Sequence, residues 1–132
     1  SFLVTVPTPP QPMGRPSSFT TGIISAALPV RGVAEIAILT PVTKAQGTNV
    51  VTTIKLKNLA KGPIAGLKID EFWYDKAGNL LPGDSKVVRL LGLGQVTTVV
   101  LTTKYNPKMN SNTYQFSHAN GGVTTRVLPK IE

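Results

Sequence analysis

The fold of this chain is decided in the stretch Ile64-Ala-Gly-Leu-Lys-Ile-Asp-Glu-Phe-Trp-Tyr-Asp-Lys-Ala-Gly-Asn-Leu-Leu81. A β-rich apolar run ends there at Tyr74-Asp75, and a Gly78-Asn79 turn follows it. Glycine and asparagine tolerate the backbone angles that tight turns need. The pattern therefore predicts a strand and its turn, which indicate a fold class and no chemistry.

Several more strand-like runs surround this one, with Gly, Asn and Pro between them. They predict strands at residues 33–42, 49–58, 66–74, 86–91, 95–103, 113–118 and 123–128. No window keeps apolar residues at helical spacing for about three turns, so we expect little helix. The chain thus predicts an all-β fold, an antiparallel sandwich of about seven strands.

Two strands allow their buried faces to be predicted. In 49–58, alternate residues are apolar or Thr, and Lys55 and Lys57 share the opposite, solvated side. In 66–74, an inward set of Leu67, Ile69 and Trp73 would also turn Glu71 inward. Either both faces of this strand are partly covered, or a bulge shifts the alternation near Asp70.

Length and composition set limits on the class of protein. With 132 residues, 41% of them apolar and 15% charged, the chain suits one folded domain. No run of about 18 apolar residues predicts a transmembrane segment. The lack of cysteine excludes disulfides, thiolate metal sites and a cysteine nucleophile.

The chain divides near residue 32 into an extended Pro-rich N-terminal arm, 1–32, and a β-sandwich domain, 33–132. Residues 6–18 hold five prolines, which favour polyproline II geometry. Ahead of them lies a short β-like run whose apolar residues we predict to bind a partner. These residues are Phe2, Leu3, Val4 and Val6. The arm packs either on its own domain or on a neighbouring subunit, where it could add a strand to an exposed sheet edge.

The net charge of +8 comes from 14 Lys and Arg against 6 Asp and Glu. These basic residues are spread singly, so we interpret most of them as solvated faces of strands and turns. Weak binding to a polyanion through counterion release stays open as an alternative. No aromatic and basic RNA-binding motif is present.

Candidate chemistry is sparse. His118 is the only histidine and is expected at a surface or strand end. Asp70 and Glu71 are adjacent on a strand, so they point to opposite faces and cannot act as an acid and base pair. Turn formation explains Asp75, Asn79 and Asp84 better than calcium binding does. It also explains the Gly-Leu-Gly segment at 92–94 better than phosphate binding does. We assign no catalytic, cofactor-binding or metal residue and expect no enzyme.

Aromatic residues raise a carbohydrate-binding alternative, because sugars stack on exposed rings. They are Trp73, Tyr74, Tyr105, Tyr114 and Phe116. Tyr114 and Phe116 share a face and Trp73 lies in mid-strand, which is typical of a core. A flat exposed pair of rings would favour a glycan ligand, whereas buried rings would favour a scaffold.

The quoted stretch also resembles export-linked β-sandwich domains of the FxLYD type. In that family a strand ending in asparagine leads through a turn to alternating apolar residues and Leu-Tyr-Asp-x-x-Gly-Asn. This chain has the corresponding residues across roughly 34–118, in the order Leu56-Lys57-Asn58, Leu67, Ile69, Trp73-Tyr74-Asp75 and Gly78-Asn79. It departs where Glu71 replaces the Phe and Trp73 the Leu. The resemblance implies an immunoglobulin-like extracytoplasmic module without catalytic residues.

Three functions follow as hypotheses. The first is a non-catalytic extracytoplasmic structural or accessory subunit, in the periplasm, at the cell surface or secreted, that stabilises a larger assembly through its sandwich and arm. The second is a filament subunit, pilus-like, that donates a strand to a neighbour. The third is a basic binding module for a polyanion or glycan. The Thr-, Val-, Gly- and Pro-rich composition and the family resemblance support the extracytoplasmic location, and association with a membrane complex fits it.

Overall fold

The computed structural model describes residues 28–131 and is all-β. Within that range it contains nine strands and no helix. They are β1 Ala34–Ile38, β2 Val42–Gln46, β3 Asn49–Asn58, β4 Ile64–Tyr74, β5 Leu80–Leu81, β6 Ser85–Leu91, β7 Val96–Lys104, β8 Ser111–His118 and β9 Gly121–Val127. The all-β prediction is confirmed. The predicted partner-binding residues Phe2, Leu3, Val4 and Val6 lie outside the described residues.

The structure has two strands more than predicted, because one predicted strand is bent into two and the two-residue β5 was not predicted. The predicted strand 33–42 forms β1 and the start of β2, and both pair antiparallel with β3. Three residues separate Ile38 from Val42, whereas two separate their partners Leu56 and Thr53. An extra residue of this kind bends a strand. Pro41 lies in the bend, where its missing amide breaks no pairing.

Two groups of strands are built around β3 and β4. Strand β3 lies between β7 and the bent pair β1 and β2, and β4 lies between β8 and the strands β5 and β6. Strand β9 joins the groups: Gly121 and Gly122 pair with β8, and the rest runs parallel to β1. The parallel β1–β9 pair departs from the antiparallel prediction, because β9 crosses from one group to the other.

The hydrophobic core draws on both groups, so the two groups face each other across it. Its fully buried members come from β1, β3, β4, β6 and β7, and among them are Ile36, Ile54, Leu56, Ile64, Leu67, Ile69, Leu91 and Leu101. The apolar alternation of these strands therefore forms one interior.

The predicted faces of β3 are confirmed, since its alternate residues from Val50 to Leu56 are buried and the lysines lie on the other side. In β4 the alternation holds without a shift at Asp70, and Glu71 is buried. On the other face of β4, Asp70, Phe72 and Tyr74 are half-buried and Lys68 is exposed, so both faces are partly covered. The change of phase lies at Gly66, whose φ of 61° lets Ile64 and Leu67 both point inward.

The chain joins the body just before the predicted domain boundary at residue 32. Val30 packs against the core, and its amide donates to the Pro63 carbonyl at 2.8 Å. The Gly32 amide donates to the Asn120 carbonyl at 2.9 Å. The described chain is therefore tied to the sandwich from Val30 onwards.

Candidate functional site

Five hydrogen-bonded polar side chains lie at one end of the body, from the buried Glu71 and Thr52 to the exposed Thr43, and we name them the polar cluster: Thr43, Thr52, Glu71, Asn112 and Tyr114. Glu71 is only 2% exposed. Its Oε2 accepts hydrogen bonds from Thr52 Oγ1 at 2.7 Å and from Asn112 Nδ2 at 3.0 Å. Thr52 belongs to β3 and Glu71 to β4, so this bond connects the two strand groups through the interior.

The cluster continues through the other two members. Asn112 Nδ2 donates to the Tyr114 hydroxyl at 2.9 Å, and the hydroxyls of Thr43 and Thr52 lie 2.9 Å apart. Burial raises the pKa of Tyr114 above its usual value of 10.0. A hydrogen bond with Thr43 opposes this shift, and the negative charge of Glu71 adds to it. These effects favour the neutral form of the phenol further.

At this end of the interior, some buried polar atoms have no hydrogen-bond partner. Glu71 Oε1, Trp73 Nε1 and Thr103 Oγ1 are buried and make no hydrogen bond. Each unsatisfied buried polar atom costs about 1–3 kcal/mol. The polar end is accordingly the less favourable part of the interior.

The cluster is not arranged as an acid and base pair. Asp70 points to the other face of β4, where it lies 3.8 Å from Lys68 Nζ, as predicted from its adjacency to Glu71. The hydrogen-bond partners of the Glu71 carboxylate in the described chain are Thr52 and Asn112, neither of which is a general base. The arrangement holds two strand groups together.

Among residues 28–131, β2, β5, β6 and β7 each pair with one strand only, and the edge of β2 lies beside the polar cluster. Strand β2 pairs only with β3, and all five of its residues are exposed. Strand β8 pairs with β9 only through Ser117 and His118, because β9 then leaves for β1. We name this region the open seam, formed by β2 and residues 111–116 of β8. Thr43 of β2 and Tyr114 of β8 belong to the same polar cluster, so the two strands lie near each other at this end of the body.

Strand pairing gathers lysines on one outer face, which we name the basic face: Lys44, Lys55, Lys57 and Lys104. They share the outward side of β2, β3 and β7, where Lys44 pairs with Val51 and Lys104 with Asn49. Along the sequence they looked dispersed. The sequence shows that Lys55 and Lys57 share one side of β3. Only strand pairing shows that Lys44 and Lys104 lie beside them.

The histidine lies at the end of a strand, as predicted, but it is buried. His118 is 8% exposed; its Nε2 lies 2.6 Å from the Gly32 carbonyl, and its Nδ1 accepts from the Asn120 amide at 3.2 Å. Because Nδ1 accepts, Nε2 carries the hydrogen and donates to Gly32. His118 therefore fastens the start of the body to the β8–β9 turn.

The predicted turn residues act in turns. Asp75 Oδ1 accepts from the amides of Asn79 and Ala77, and these bonds, led by that from Asn79, lower the pKa of Asp75. Asp84 accepts from the amides of Ser85 and Thr102. In the part of the chain that the structure describes, no three His, Cys, Asp or Glu side chains are grouped to hold a metal ion.

The aromatic rings are mostly inside. Trp73 is 9% exposed, and Tyr114 and Phe116 pack against the core. Tyr105 is the only exposed aromatic ring in the described range. A flat exposed pair, which would favour a glycan ligand, is thus not formed by residues 28–131.

Comparison with known proteins finds no relative, so the proposed function rests on the features described above. No family model matches the chain. No curated protein matches it either. Within residues 28–131, no helix is long and apolar enough to cross a membrane.

Sequence reasoning missed the polar cluster as a unit. It did identify Glu71 as the anomaly of its strand, because the residue shares the inward parity of Leu67 and Ile69. A buried carboxylate requires partners, so this parity was the available signal. Its partners Thr52 and Asn112 come from distant strands and have no local signature.

Proposed function

We propose that this chain is a non-catalytic, extracytoplasmic structural subunit that stabilises a larger protein assembly through its β-sandwich and N-terminal arm. The open seam is the observation that carries the proposal. Unpaired strand edges invite pairing with another chain.

The strand order supports an immunoglobulin-like body of the FxLYD type. One group runs β9-β1-β3-β7 and the other β9-β8-β4-β6, with β9 shared between them. Such an arrangement of two mainly antiparallel groups, with a shared last strand that runs parallel to β1, suits that sandwich.

The asparagine that ends β3, which the FxLYD-type pattern shares, has a physical role that also supports the immunoglobulin-like body. Asn58 is buried, and its Nδ2 donates to the carbonyls of Gly62, Leu91 and Gly92. Its Oδ1 accepts from the Ala60 amide at 2.7 Å. One side chain thus ties the β3–β4 turn to the end of β6.

Deleting residues 1–18 tests the proposal. We expect the truncated chain to keep its fold, because the core residues all follow residue 32, and to lose assembly with its partner or with itself. Thermal unfolding and sedimentation of truncated and full-length chains are compared at matched concentration. A full-length control with Phe2, Leu3, Val4 and Val6 changed to Ser keeps the arm length and should reproduce the loss.

Two results would contradict the proposal. Unfolding of the truncated monomer would make the arm an intrinsic strand of its own sandwich. Unchanged unfolding and unchanged sedimentation would leave the arm without a role in assembly.

The basic face favours a second candidate, a module that binds a polyanion. Its lysines repeat along β3 at about 6.6 Å, two residues of a strand, which suits successive charges of an extended polyanion. Binding to heparin should fall when Lys55 and Lys57 are changed to Glu, and its salt dependence should become shallower. Changing Lys61 and Lys76 to Glu removes the same charge elsewhere, and an equal loss would show that net charge alone drives binding.

A further inference from the structure

We propose that the basic face binds an extended acidic segment of another protein, in which one apolar residue lies between two pairs of acidic residues. This inference rests on the proposed function in taking the partner to be a protein of the same assembly. It names the chemistry that the partner needs and the surface that receives it.

Strand register sorts the basic face into five layers along β3 and its neighbours β2 and β7. Residues directly opposite each other on neighbouring strands share one side of the sheet. Four of these layers contain one lysine each. In order along β3 they are Lys57 with Val96, Lys55 with Thr98, Lys44 with Val51 and Thr102, and Lys104 with Asn49 and Gln46.

The middle layer, between those of Lys55 and Lys44, has no charged residue. It consists of Val42, Thr53 and Val100, which pair across the three strands. Val42 is 51% exposed and Val100 is 43% exposed. A shallow depression of about 420 Å³ opens beside this layer, and Val42, Thr53 and Lys44 contribute to its lining. A partly exposed apolar layer beside a depression suits one apolar side chain of a ligand.

The lysines of the basic face have no counter-charge on the described body. None of them forms an ion pair with another residue among 28–131. Two acidic residues border the face, and both are engaged. Glu35 pairs with Arg126 at 2.7 Å, and Asp84 accepts from the amides of Ser85 and Thr102. Charge complementarity therefore calls for acidic groups on the partner.

The dimensions of the face favour an extended segment over a globular domain. The five layers span about 26 Å along β3, and the three strands lie within about 10 Å across. A stable complex of globular proteins buries about 800 Å² on each partner, which is more than this strip offers. An extended segment of about nine residues has the same span and directs alternate side chains to one side. Its five sheet-facing positions match the five layers.

The uncharged middle layer disfavours a uniformly charged polyanion on this face. A sulfated polysaccharide or a nucleic acid carries charges on successive units and would place one of them over Val42 and Val100. The valines would remove water from that charge without supplying a cation. A protein segment can place an apolar side chain there instead. The order acidic, acidic, apolar, acidic, acidic therefore follows from the layers.

Fluorescence polarisation with labelled peptides tests the inference. The probe is Glu-Thr-Glu-Thr-Leu-Thr-Glu-Thr-Glu, whose alternate residues reproduce the order of the layers, and its control has Ser in place of the central Leu. The full-length chain should bind the Leu peptide about tenfold more tightly, since burial of one Leu side chain is worth that factor. Heparin is the probe for a uniformly charged polyanion.

Single substitutions assign the binding to the layers. Val100→Ser should remove the preference for the Leu peptide and leave heparin binding unchanged, and Val42→Ser repeats this test on the other side of Thr53. Lys55→Gln should weaken the binding of both peptides. Lys76→Gln removes the same charge at a turn and should weaken it less. Thermal unfolding of each variant checks that the fold is kept.

Three outcomes would overturn the inference. Equal binding of the Leu and Ser peptides would leave the middle layer without a role. A preference for the Leu peptide that survives both Val100→Ser and Val42→Ser would place the binding elsewhere. Binding of heparin without binding of either peptide would assign the face to a uniformly charged polyanion.

Deletion of residues 1–18 reports separately on the proposed function. If deletion weakens assembly and neither peptide binds, the role of the arm stands and this inference is overturned. If the Leu preference is found and is lost in Val100→Ser, while deletion changes neither unfolding nor sedimentation, the inference stands and the arm has no role in assembly.

Discussion

The two ends of the interior differ in chemistry. At the end where β3 finishes and β4 begins, Leu56, Ile64, Leu67 and Leu91 are fully buried. At the other end, the interior contains the polar cluster, with Trp73 and Thr103 leaving polar atoms unpaired. The first end is closed by close packing, and the second is the end with the open seam.

The difference suggests a division of labour. Burial of apolar side chains contributes most of the stability of a small domain, so the apolar end should hold the fold. The polar end specifies how the strand groups meet, through directional hydrogen bonds. Substitutions at the two ends should therefore have unequal effects.

The largest effect is expected at the apolar end. Leu67→Ala should lower the free energy of unfolding by about 2–5 kcal/mol, since it removes buried methyl groups and leaves a cavity. Urea unfolding followed by the fluorescence of the single tryptophan measures it. Leu93→Ala, the same change at an exposed turn residue, should cost less than about 0.5 kcal/mol. Similar losses from both would contradict the assignment of the core.

A smaller effect is expected at the polar end. Thr52→Val keeps the shape but removes the donor to Glu71, so the free energy of unfolding should fall by about 1–3 kcal/mol. Thr53→Val, the neighbouring threonine on the outward face, should change it by less than about 0.5 kcal/mol. If Thr52→Val stabilised the chain, the hydrogen bond to Glu71 would not contribute to the fold.

The smallest effect concerns the phenol of Tyr114. Its pKa is raised in the folded chain above 10.0, so its contribution to stability is present below pH 10.0 and is lost as the pH rises through the folded pKa. The free energy of unfolding should therefore fall less steeply above pH 10.0 in Tyr114→Phe than in the natural chain. If the two chains gave parallel pH profiles, folding would not raise the pKa of Tyr114, which would contradict the prediction.

Much of the fold could be read from local patterns. The alternation in β3 and the turn at Gly78-Asn79 predicted the strand class, the buried face and the turn, because these depend on residues near in sequence. The bend between β1 and β2 was missed, since a bulge is defined by the count of residues on two strands. Of the two alternatives left open for 66–74, partial cover of both faces is found and a bulge near Asp70 is not, while the change of phase lies at Gly66, the first residue of that predicted strand.

The sequence by itself determined an all-β chain, its main strands, the inward position of Glu71 and a proline-rich arm ahead of the body. Tertiary structure alone decided that Thr52 and Asn112 meet Glu71, that His118 holds Gly32, and that lysines of three strands share one face. It also decided that β9 leaves β8 for β1, which opens the seam. The physical reason is that periodicity fixes the side of a strand on which a residue lies, whereas its contacts depend on strand order and register, which are set by distant residues together.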